Sequence, residues 1–562
     1  MEQTLGFSRS SYKSENRLVT RMQEFNQQEK QGTMRQDARF LIGLMLLGTL
    51  IYGLLYLAWS LIPGREMEIY LLHALGVRSD SEFFRPPGAS YALGFLLSLG
   101  NPGALLTLWV AYLLFLLSVY KAALVFGQRT ARIVSLLMVC NVQVCILFIK
   151  LDGDFLLCLS LGIWSALLLH LFQRERLLDL VLLGFATFVP VYFRQTAIVF
   201  GVVCAYPLLC FGFSRKNLFK SLAITSGFVA GLLLLLSYNQ VAFGKFSFPS
   251  LSGYIPGFHV YRYGPGFSKE FGPENRKFLD LVQQKLIASP VYVENGVGME
   301  EFFKYNWDIR KFCDLIYLDR IVDPGILTRA SVESIIASPG TFTKNMFTMV
   351  WNLFTKDYSP GLPETEEPPP GKQRVSSSPS QNGSPTPVSS GLPAIPNPEI
   401  IPMAYSSTPA ALSRLEAANP HSNKEHSQEQ LRRFHEKITT ETKILIGSGN
   451  RVAATVVKTL FIPALPPLLF FLAATPFLLF VQTYRYQARL VLIMAGSAFV
   501  LVFFSGIVHQ LVEYRLPMDF LFVMGSVAAV VHGPWMRKKG TTPEPEDISL
   551  VALPNTSRRI IG

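Results

Sequence analysis

Charge is scarce in this 562-residue chain: Asp, Glu, Lys and Arg make up 16% of it, where soluble domains carry roughly 25%. With 50% of residues hydrophobic and a mean hydropathy of +0.31, that shortage excludes an ordinary soluble globule. Cysteine is scarce too. Cys140, Cys145, Cys158, Cys204 and Cys210 lie inside apolar runs and only Cys313 lies outside them. Their spacing offers neither a disulfide framework nor a zinc site, so they read as small buried hydrophobes. No internal repeat is apparent, which removes the inverted-repeat hallmark of many transporters. No basic surface interleaved with aromatics is visible either. The formal charge of +12 comes from basic residues in short clusters between apolar runs, the placement that membrane orientation requires and nucleic-acid binding does not. A cleavable leader is not expected: residues 1–39 are polar, and the apolar run that opens at Phe40 is too long for a signal h-region.

What the chain has in abundance is long apolar runs. They cover residues 40–62, 104–126, 133–149, 155–172, 177–192, 196–213, 222–237, 459–481, 490–507 and 517–531. A helix needs about 20 apolar residues to cross ~30 Å of hydrocarbon, so the runs predict an all-α polytopic membrane protein with about ten transmembrane helices. Residues 177–213 are too long for one helix and carry Arg194 in the middle, which predicts two short helices with Arg194 at the turn.

Alternate connections are basic. One set precedes Phe40; the others hold Arg129 and Arg132, Arg174 and Arg176, Arg215, Lys216 and Lys220, Arg485 and Arg489, and Arg537, Lys538 and Lys539. The positive-inside rule makes these cytoplasmic, with both termini inside and the plasma (inner) membrane as the expected location. The division that follows is a cytoplasmic basic segment 1–39, a transmembrane core 40–237 with an outer loop 63–103, and an extracytoplasmic segment 238–355. After it come a Pro/Ser-rich insert 356–424, an extracytoplasmic helix and linker 425–457, C-terminal transmembrane helices 458–533 and a cytoplasmic tail 534–562. The insert's composition cannot bury enough apolar surface to order itself. Within 238–355, residues 330–351 read as helix interrupted at Pro339. On this topology Glu66, Glu68, Asp152, Asp154, Arg194 and Arg515 share the outer face. Charges at the membrane edge are costly and mark candidate sites.

Just outside the first run the chain reads Gly64-Arg65-Glu66-Met67-Glu68-Ile69-Tyr70-Leu71-Leu72-His73-Ala74, then Phe84-Arg85-Pro86-Pro87-Gly88. This resembles the first outer loop of GT-C membrane glycosyltransferases, the broad group of protein O-mannosyltransferases, lipid A aminoarabinose transferases and rhizobial lipopolysaccharide galacturonosyltransferases. In that loop an acid is followed by Tyr four residues on, Ala four further, and an Arg-Pro-Pro turn. Glu66, Tyr70, Ala74 and Arg85-Pro86-Pro87 fill those places, with Glu66 where the family usually has Asp. Asp154 opens the fourth run where these proteins often place an acid. Phe193-Arg194-Gln195-Thr196-Ala197 is similar to their Arg-Pro-Thr-Ala turn, and residues 239–253 resemble the segment that follows their core. Glu513-Tyr514-Arg515-Leu516-Pro517 is similar to their late Arg-Tyr-Arg-Leu-Pro.

The resemblance implies transfer of a sugar from a polyprenyl-phosphate-linked donor to a lipid, glycan or protein acceptor at the outer membrane face, without nucleic acid and without a required cofactor. Such a reaction uses a carboxylate to take the acceptor's proton and fixed cations to steady the leaving phosphate. Glu66 is the first candidate base and Asp154 the second. Arg194, Arg515 and Arg85 are candidate phosphate ligands, because the planar guanidinium fork matches phosphate oxygens, and Tyr514 is a candidate hydroxyl donor. Glu68, Asp152 and Tyr70 are secondary candidates. Each has a plainer alternative. Glu66 fits a solvated acid paired with Arg65. Asp152-Gly153-Asp154 fits a helix cap or a pair of oxygen ligands for a divalent cation. Arg85 fits an anchor for the Pro-Pro turn, and Arg515 a snorkelling side chain. His73 and His509 fit interfacial polar residues. At the level of the whole chain, a lipid or glycan transporter or flippase and a non-catalytic membrane scaffold stand as alternatives to the enzyme.

Overall fold

The computed structural model describes residues 36–64, 67–74, 86–172, 176–244, 246–248, 254–294, 296–304, 309–355, 432–433, 436–437, 453, 455–456, 471–472, 474–481, 484–508 and 515–532. Over these residues the protein is almost wholly helical, and five helices are long and apolar enough to cross a membrane: Gln36–Trp59, Pro87–Phe126, Asp154–Leu171, Arg215–Ala242 and Arg485–Phe503. Three shorter apolar helical stretches, Leu177–Tyr192, Gln195–Phe211 and Leu516–His532, pack among them. Helix is the form that apolar runs of this length adopt, because it satisfies every backbone polar group without water.

In chain order, α1 (Gln36–Trp59) leads to a two-residue strand β1 (Ile62–Pro63) and α2 (Met67–Ala74). Then come α3 (Pro87–Ala123), α4 (Gln128–Val139), α5 (Val142–Leu147), β2 (Lys150–Leu151) and α6 (Asp154–Leu171). α7 (Leu177–Phe188) runs into a 3-10 turn at Val189–Tyr192, and a 3-10 helix at Gln195–Ala205 continues as α8 (Tyr206–Phe211). The long α9 (Arg215–Phe243) follows. α3 starts well before the apolar run at Ala104. Pro86 is its extended N-cap and Pro87 its first residue, where a missing N–H costs nothing. The helix absorbs Gly100 and Pro102 as a break inside itself, Gly100 taking φ 68 and ψ 179, so much of the expected outer loop is helix. The run at 133–149 forms two helices. The chain breaks at Cys140–Asn141, and the Asn141 side chain caps α5 by accepting from Val144 N at 3.4 Å. Arg194 stands between two short helical stretches as its place in the apolar run predicts. Of the run at 459–481, only 471–472 and 474–481 are among the described residues.

α7 and α9 lie closest together of the packed pairs. A Cβ at Gly184 would sit 1.8 Å from the Ile224 carbonyl oxygen, and one at Gly227 1.9 Å from that of Val181. Small residues permit this approach of two backbones, as they do at many helix–helix interfaces in lipid. Between α6 and α7 the polar contact is internal: Trp164 Nε1 donates to Thr187 Oγ1 at 3.0 Å.

Residues 254–337 form a second helical unit with its own core. α10 (Ile255–Arg262), α11 (Pro273–Leu281), α12 (Pro290–Glu294), α13 (Met299–Lys304), α14 (Ile309–Ile321) and α15 (Ile326–Ala337) bury Phe258, Phe278, Tyr292, Phe302, Phe312 and Leu327 against one another. Two of its buried carboxylates are hydrogen-bonded inside it. Asp319 accepts from Tyr254 Oη (3.0 Å) and Leu327 N (2.8 Å), and Asp314 from Tyr292 Oη (2.5 Å). On its surface, hydrogen bonds from Lys277 and Arg329 hold the Asp323 carboxyl below its ordinary range. Burial pushes Glu333 up, but hydrogen bonds from Asn275 outweigh it and leave that carboxyl lowered. α16 (Pro339–Thr355), separated from α15 at Ser338, returns to the main bundle and packs on α17 (Arg485–Val508). The last helix among the described residues is α18 (Asp519–His532), entered through a 3-10 turn at Leu516–Met518.

Side-chain contacts show which helix ends meet. At one end Asp37 accepts from Arg132 Nη2 and Gln128 Nε2, both at 2.9 Å. His532 Nε2 lies 2.6 Å from the Phe126 carbonyl and 3.0 Å from Thr130 Oγ1, and Arg489 donates to the Cys210 carbonyl at 2.5 Å. Lys150, Asp154, Arg194 and Arg515 belong to the other end.

Candidate functional site

The site is assembled at that other end by a short parallel pairing. Ile62 aligns with Lys150 and Pro63 with Leu151, joining the segment after α1 to the segment before α6. Two local features make room for it. Ser60, buried, leaves α1 with a φ of 57, a left-handed turn for a residue that has a side chain. Gly64 then runs so close to the partner segment that a Cβ would meet the Leu151 carbonyl oxygen at 2.2 Å.

Gly153 is the second point of convergence. A Cβ there would lie 3.0 Å from Ala89 Cβ and 3.6 Å from both the Phe193 carbonyl oxygen and Tyr70 Oη. Four segments far apart in sequence therefore meet around one glycine: α2, the start of α3, the start of α6 and the Arg194 turn. Gly88 completes the contact, since a Cβ on it would lie 2.6 Å from the Tyr192 carbonyl oxygen. The Pro-Pro-Gly start of α3 is thus seated on the turn that presents Arg194.

Three ion pairs are found at this end among the described residues. Asp154, the first residue of α6 and buried, forms an ion pair with Arg194 Nη1. Lys150 Nζ lies 3.3 Å from Asp152 Oδ2, while Asp152 Oδ1 accepts from Gly153 N at 2.7 Å. Arg515, 2% exposed, donates through Nε to Asp519 Oδ1 at 3.1 Å and through Nη1 to the carbonyls of Leu353 (3.1 Å) and Phe354 (3.2 Å). The 3-10 turn at Leu516–Met518, between Arg515 and Asp519, packs on α6. One Arg–Asp pair thus starts α6, and the other brackets a turn packed on it.

Of the candidates read from the sequence, Asp152, Asp154, Arg194 and Tyr70 come together here, and Arg515 precedes a 3-10 turn that packs on α6. Glu66, Arg85, Tyr514 and His509 lie outside the described residues, as does the side chain of Glu68. At the helix start Gly153 is the N-cap and makes no side-chain cap bond, while Asp152 Oδ1 takes the Gly153 amide. Asp154 lies in the first turn, where the helix dipole favours an anion. Arg515 does not snorkel outward; it turns into the bundle. His73 is buried on α2, with Nε2 2.6 Å from Tyr238 Oη on α9 and the Tyr91 hydroxyl 3.3 Å beyond. Among the described residues no three His, Cys, Asp or Glu side chains gather as a metal-binding group.

Sequence reasoning missed Lys150 and Asp519. Asp519 had a signal, standing four residues after Arg515 at the entry to a helix, the spacing at which opposite charges meet. Lys150 was one of two charges flanking Leu151, and nothing in the sequence said that it turns inward.

A groove of about 280 Å³ opens between α1 and α3, lined by Tyr52, Gly53, Tyr56, Leu105, Leu106 and Trp109. Its polar groups are turned to protein: Tyr52 Oη lies 3.2 Å from the Phe148 carbonyl, and Trp109 Nε1 donates to Thr49 Oγ1 at 3.1 Å. Phe148 stands two residues before β2.

No family model matches the chain, and neither a curated protein nor a solved structure matches it.

Proposed function

We propose that the protein is a membrane glycosyltransferase that moves a sugar from a polyprenyl-phosphate carrier to a lipid, glycan or protein acceptor at the extracytoplasmic face. The observation that carries this reading is the convergence at Gly153. The segments that bear the GT-C-like motifs, distant in sequence, meet at one end of the bundle with a buried acid and a guanidinium in contact. A transferase of this kind needs that combination beside an apolar wall, and the groove between α1 and α3 supplies a surface of carbon for the first units of the lipid tail.

The full topology belongs to the same proposal. It has about ten spans, with α4 and α5 together making one crossing and the short stretches around Arg194 two more. Both termini are cytoplasmic, and the unit 254–337 sits on the outer side. The contacts that gather Arg132, Arg489 and His532 at the end opposite the site support the alternation.

In the reaction, the acceptor oxygen bonds to the anomeric carbon as the bond from that carbon to phosphate oxygen breaks. The acceptor's proton passes to a carboxylate and the polyprenyl phosphate leaves as the anion. Glu66, just before α2, is assigned the proton. Asp154 has its oxygen on Arg194 and is assigned to that guanidinium instead. Arg194 holds the leaving phosphate.

The test is transfer from polyprenyl-phosphate sugars in liposomes, with expression and melting checked. Glu66→Gln keeps size and hydrogen bonding but not basicity, and is expected to cut turnover by about two to four orders of magnitude while donor binding holds. Arg194→Lys keeps the charge but loses the fork, and is expected to weaken binding and slow chemistry together. Glu66→Asp is expected to retain substantial activity. Full turnover by Glu66→Gln would remove Glu66 from the mechanism, and no transfer by the wild type with any donor would remove the enzyme.

A further inference from the structure

The charged cluster contains its own anions, and they balance its cations. Lys150, Arg194 and Arg515 are met by Asp152, Asp154 and Asp519 in three contacts. Among the described residues, a phosphate arriving here meets cations that already carry carboxylates. The three acids are buried, at 6%, 4% and 8% exposure, and a buried charge is tolerated only while it is compensated. A phosphate that reaches one of these cations therefore has to displace the carboxylate already on it.

The two Arg–Asp pairs differ in which one can exchange. Arg515 is fixed by Asp519 and by two backbone carbonyls of α16, with its side chain 2% exposed. The Arg194 side chain is 18% exposed and sits on a turn between two short helical stretches, so it is the guanidinium a ligand can reach. Carboxylate and phosphate oxygens compete for the same planar fork.

Resting on the transferase reading, we propose that this is a phosphate site held shut by its own carboxylate. Asp154 occupies the face of Arg194 that a lipid-linked phosphate monoester takes, and it gives way when that phosphate binds. Asp154 has somewhere to remain, because it stays in the first turn of α6, where the helix terminus favours a negative group. Arg515 and Asp519 do not exchange, and Arg515 stays fixed on the carbonyls of α16.

The experiment is binding of decaprenyl phosphate to the purified full-length chain in detergent, with inorganic phosphate as a parallel arm. A closed resting state lowers apparent affinity by the fraction of protein that is open, so Asp154→Asn is expected to bind decaprenyl phosphate tighter than wild type by on the order of tenfold. Asp154→Glu, which keeps the competing charge, and Asp519→Asn, at the fixed pair, are expected to show no such gain. Should Asp154→Asn melt low because Arg194 has lost its counter-charge, added ligand is expected to restore its melting temperature. The double variant Asp154→Asn/Arg194→Gln is expected to be stable and unresponsive. Restoration by inorganic phosphate alone assigns recognition to the phosphate group itself. Restoration only by decaprenyl phosphate assigns it to the lipid-linked form, and restoration by neither overturns the proposal. Wild-type binding with no gain in Asp154→Asn defeats the exchange and leaves the transferase reading standing. Absence of binding in every form defeats both.

Discussion

At Gly64 the whole site depends on one missing methyl group. The segment after α1 can lie along Lys150–Leu151 only because residue 64 has no Cβ to meet the Leu151 carbonyl oxygen at 2.2 Å and Asp152 Cβ at 2.8 Å. Backbone atoms on both sides make the clash hard to relieve, so Gly64→Ala is expected to part the two segments. A misplacement near 1 Å can cost about 100-fold in rate, and transfer activity is expected to fall by about that factor. Gly43→Ala on α1, whose new methyl would meet nothing within 4 Å, is the matched control and is expected to behave as wild type. Equal transfer by the two variants would show that the pairing does not position the site. Residues of this kind were only partly legible in the sequence. Arg194 and Asp154 announced themselves as charges among apolar runs, where any charge is expensive. That they touch was not legible, since 40 residues separate them and the packing of α6 against the Arg194 turn decides it. Gly64 gave no signal at all, because a close approach of two backbones leaves no pattern in either strand alone.

Helices were read well where a run was long and uninterrupted, as in α1, α6 and α9, and less well where punctuation intervened. Gly100 and Pro102 looked like the end of a loop, yet the helix from Pro87 passes through them with a break, because the residues before them are themselves apolar and helix-forming. Asn141, conversely, splits a run that looked continuous by capping the helix that follows. The tightest helix pair, α7 with α9, gives the element-scale test. A side chain at Gly227 or Gly184 drives into backbone, 1.9 Å from the Val181 carbonyl oxygen and 1.8 Å from that of Ile224. Overpacking of a close-fitted interface costs about 1–3 kcal/mol and sometimes more. Gly227→Val and Gly184→Val are each expected to lower the melting temperature in detergent. Gly53→Val, on the open groove with nothing within 4 Å of the new Cβ, is expected to leave it unchanged. If all three melt alike, the α7–α9 contact is not a stability determinant.

On the scale of the whole molecule, two cores divide the labour. The larger one, around α1, α3, α6 and α18, fixes the ends that meet at Gly153. The smaller, within residues 254–337, closes on its own aromatics and reaches the bundle through α16, whose Leu353 and Phe354 carbonyls receive Arg515. The contacts trace the crossings between them. Arg176 precedes α7; the chain reaches the site end at Arg194, which is paired with Asp154, and returns to the opposite end at Cys210, whose carbonyl binds Arg489. α9 then leaves from Arg215, a third traverse. On the proposed topology, in which each of these three helices crosses although two are short, residue 176 and the chain after α9 lie on opposite sides of the membrane. A topology reporter fused after Arg176 is therefore expected to read cytoplasmic, by the Arg174 and Arg176 cluster. One placed within residues 376–390 is expected to read extracytoplasmic, in intact cells with membrane-impermeant labelling as the readout. Signals on the same side would mean that the stretches flanking Arg194 do not each cross. Arg194 and Asp154 would then have to meet within the bilayer and not at its outer edge, and a site for sugar transfer at the outer face would lose its location.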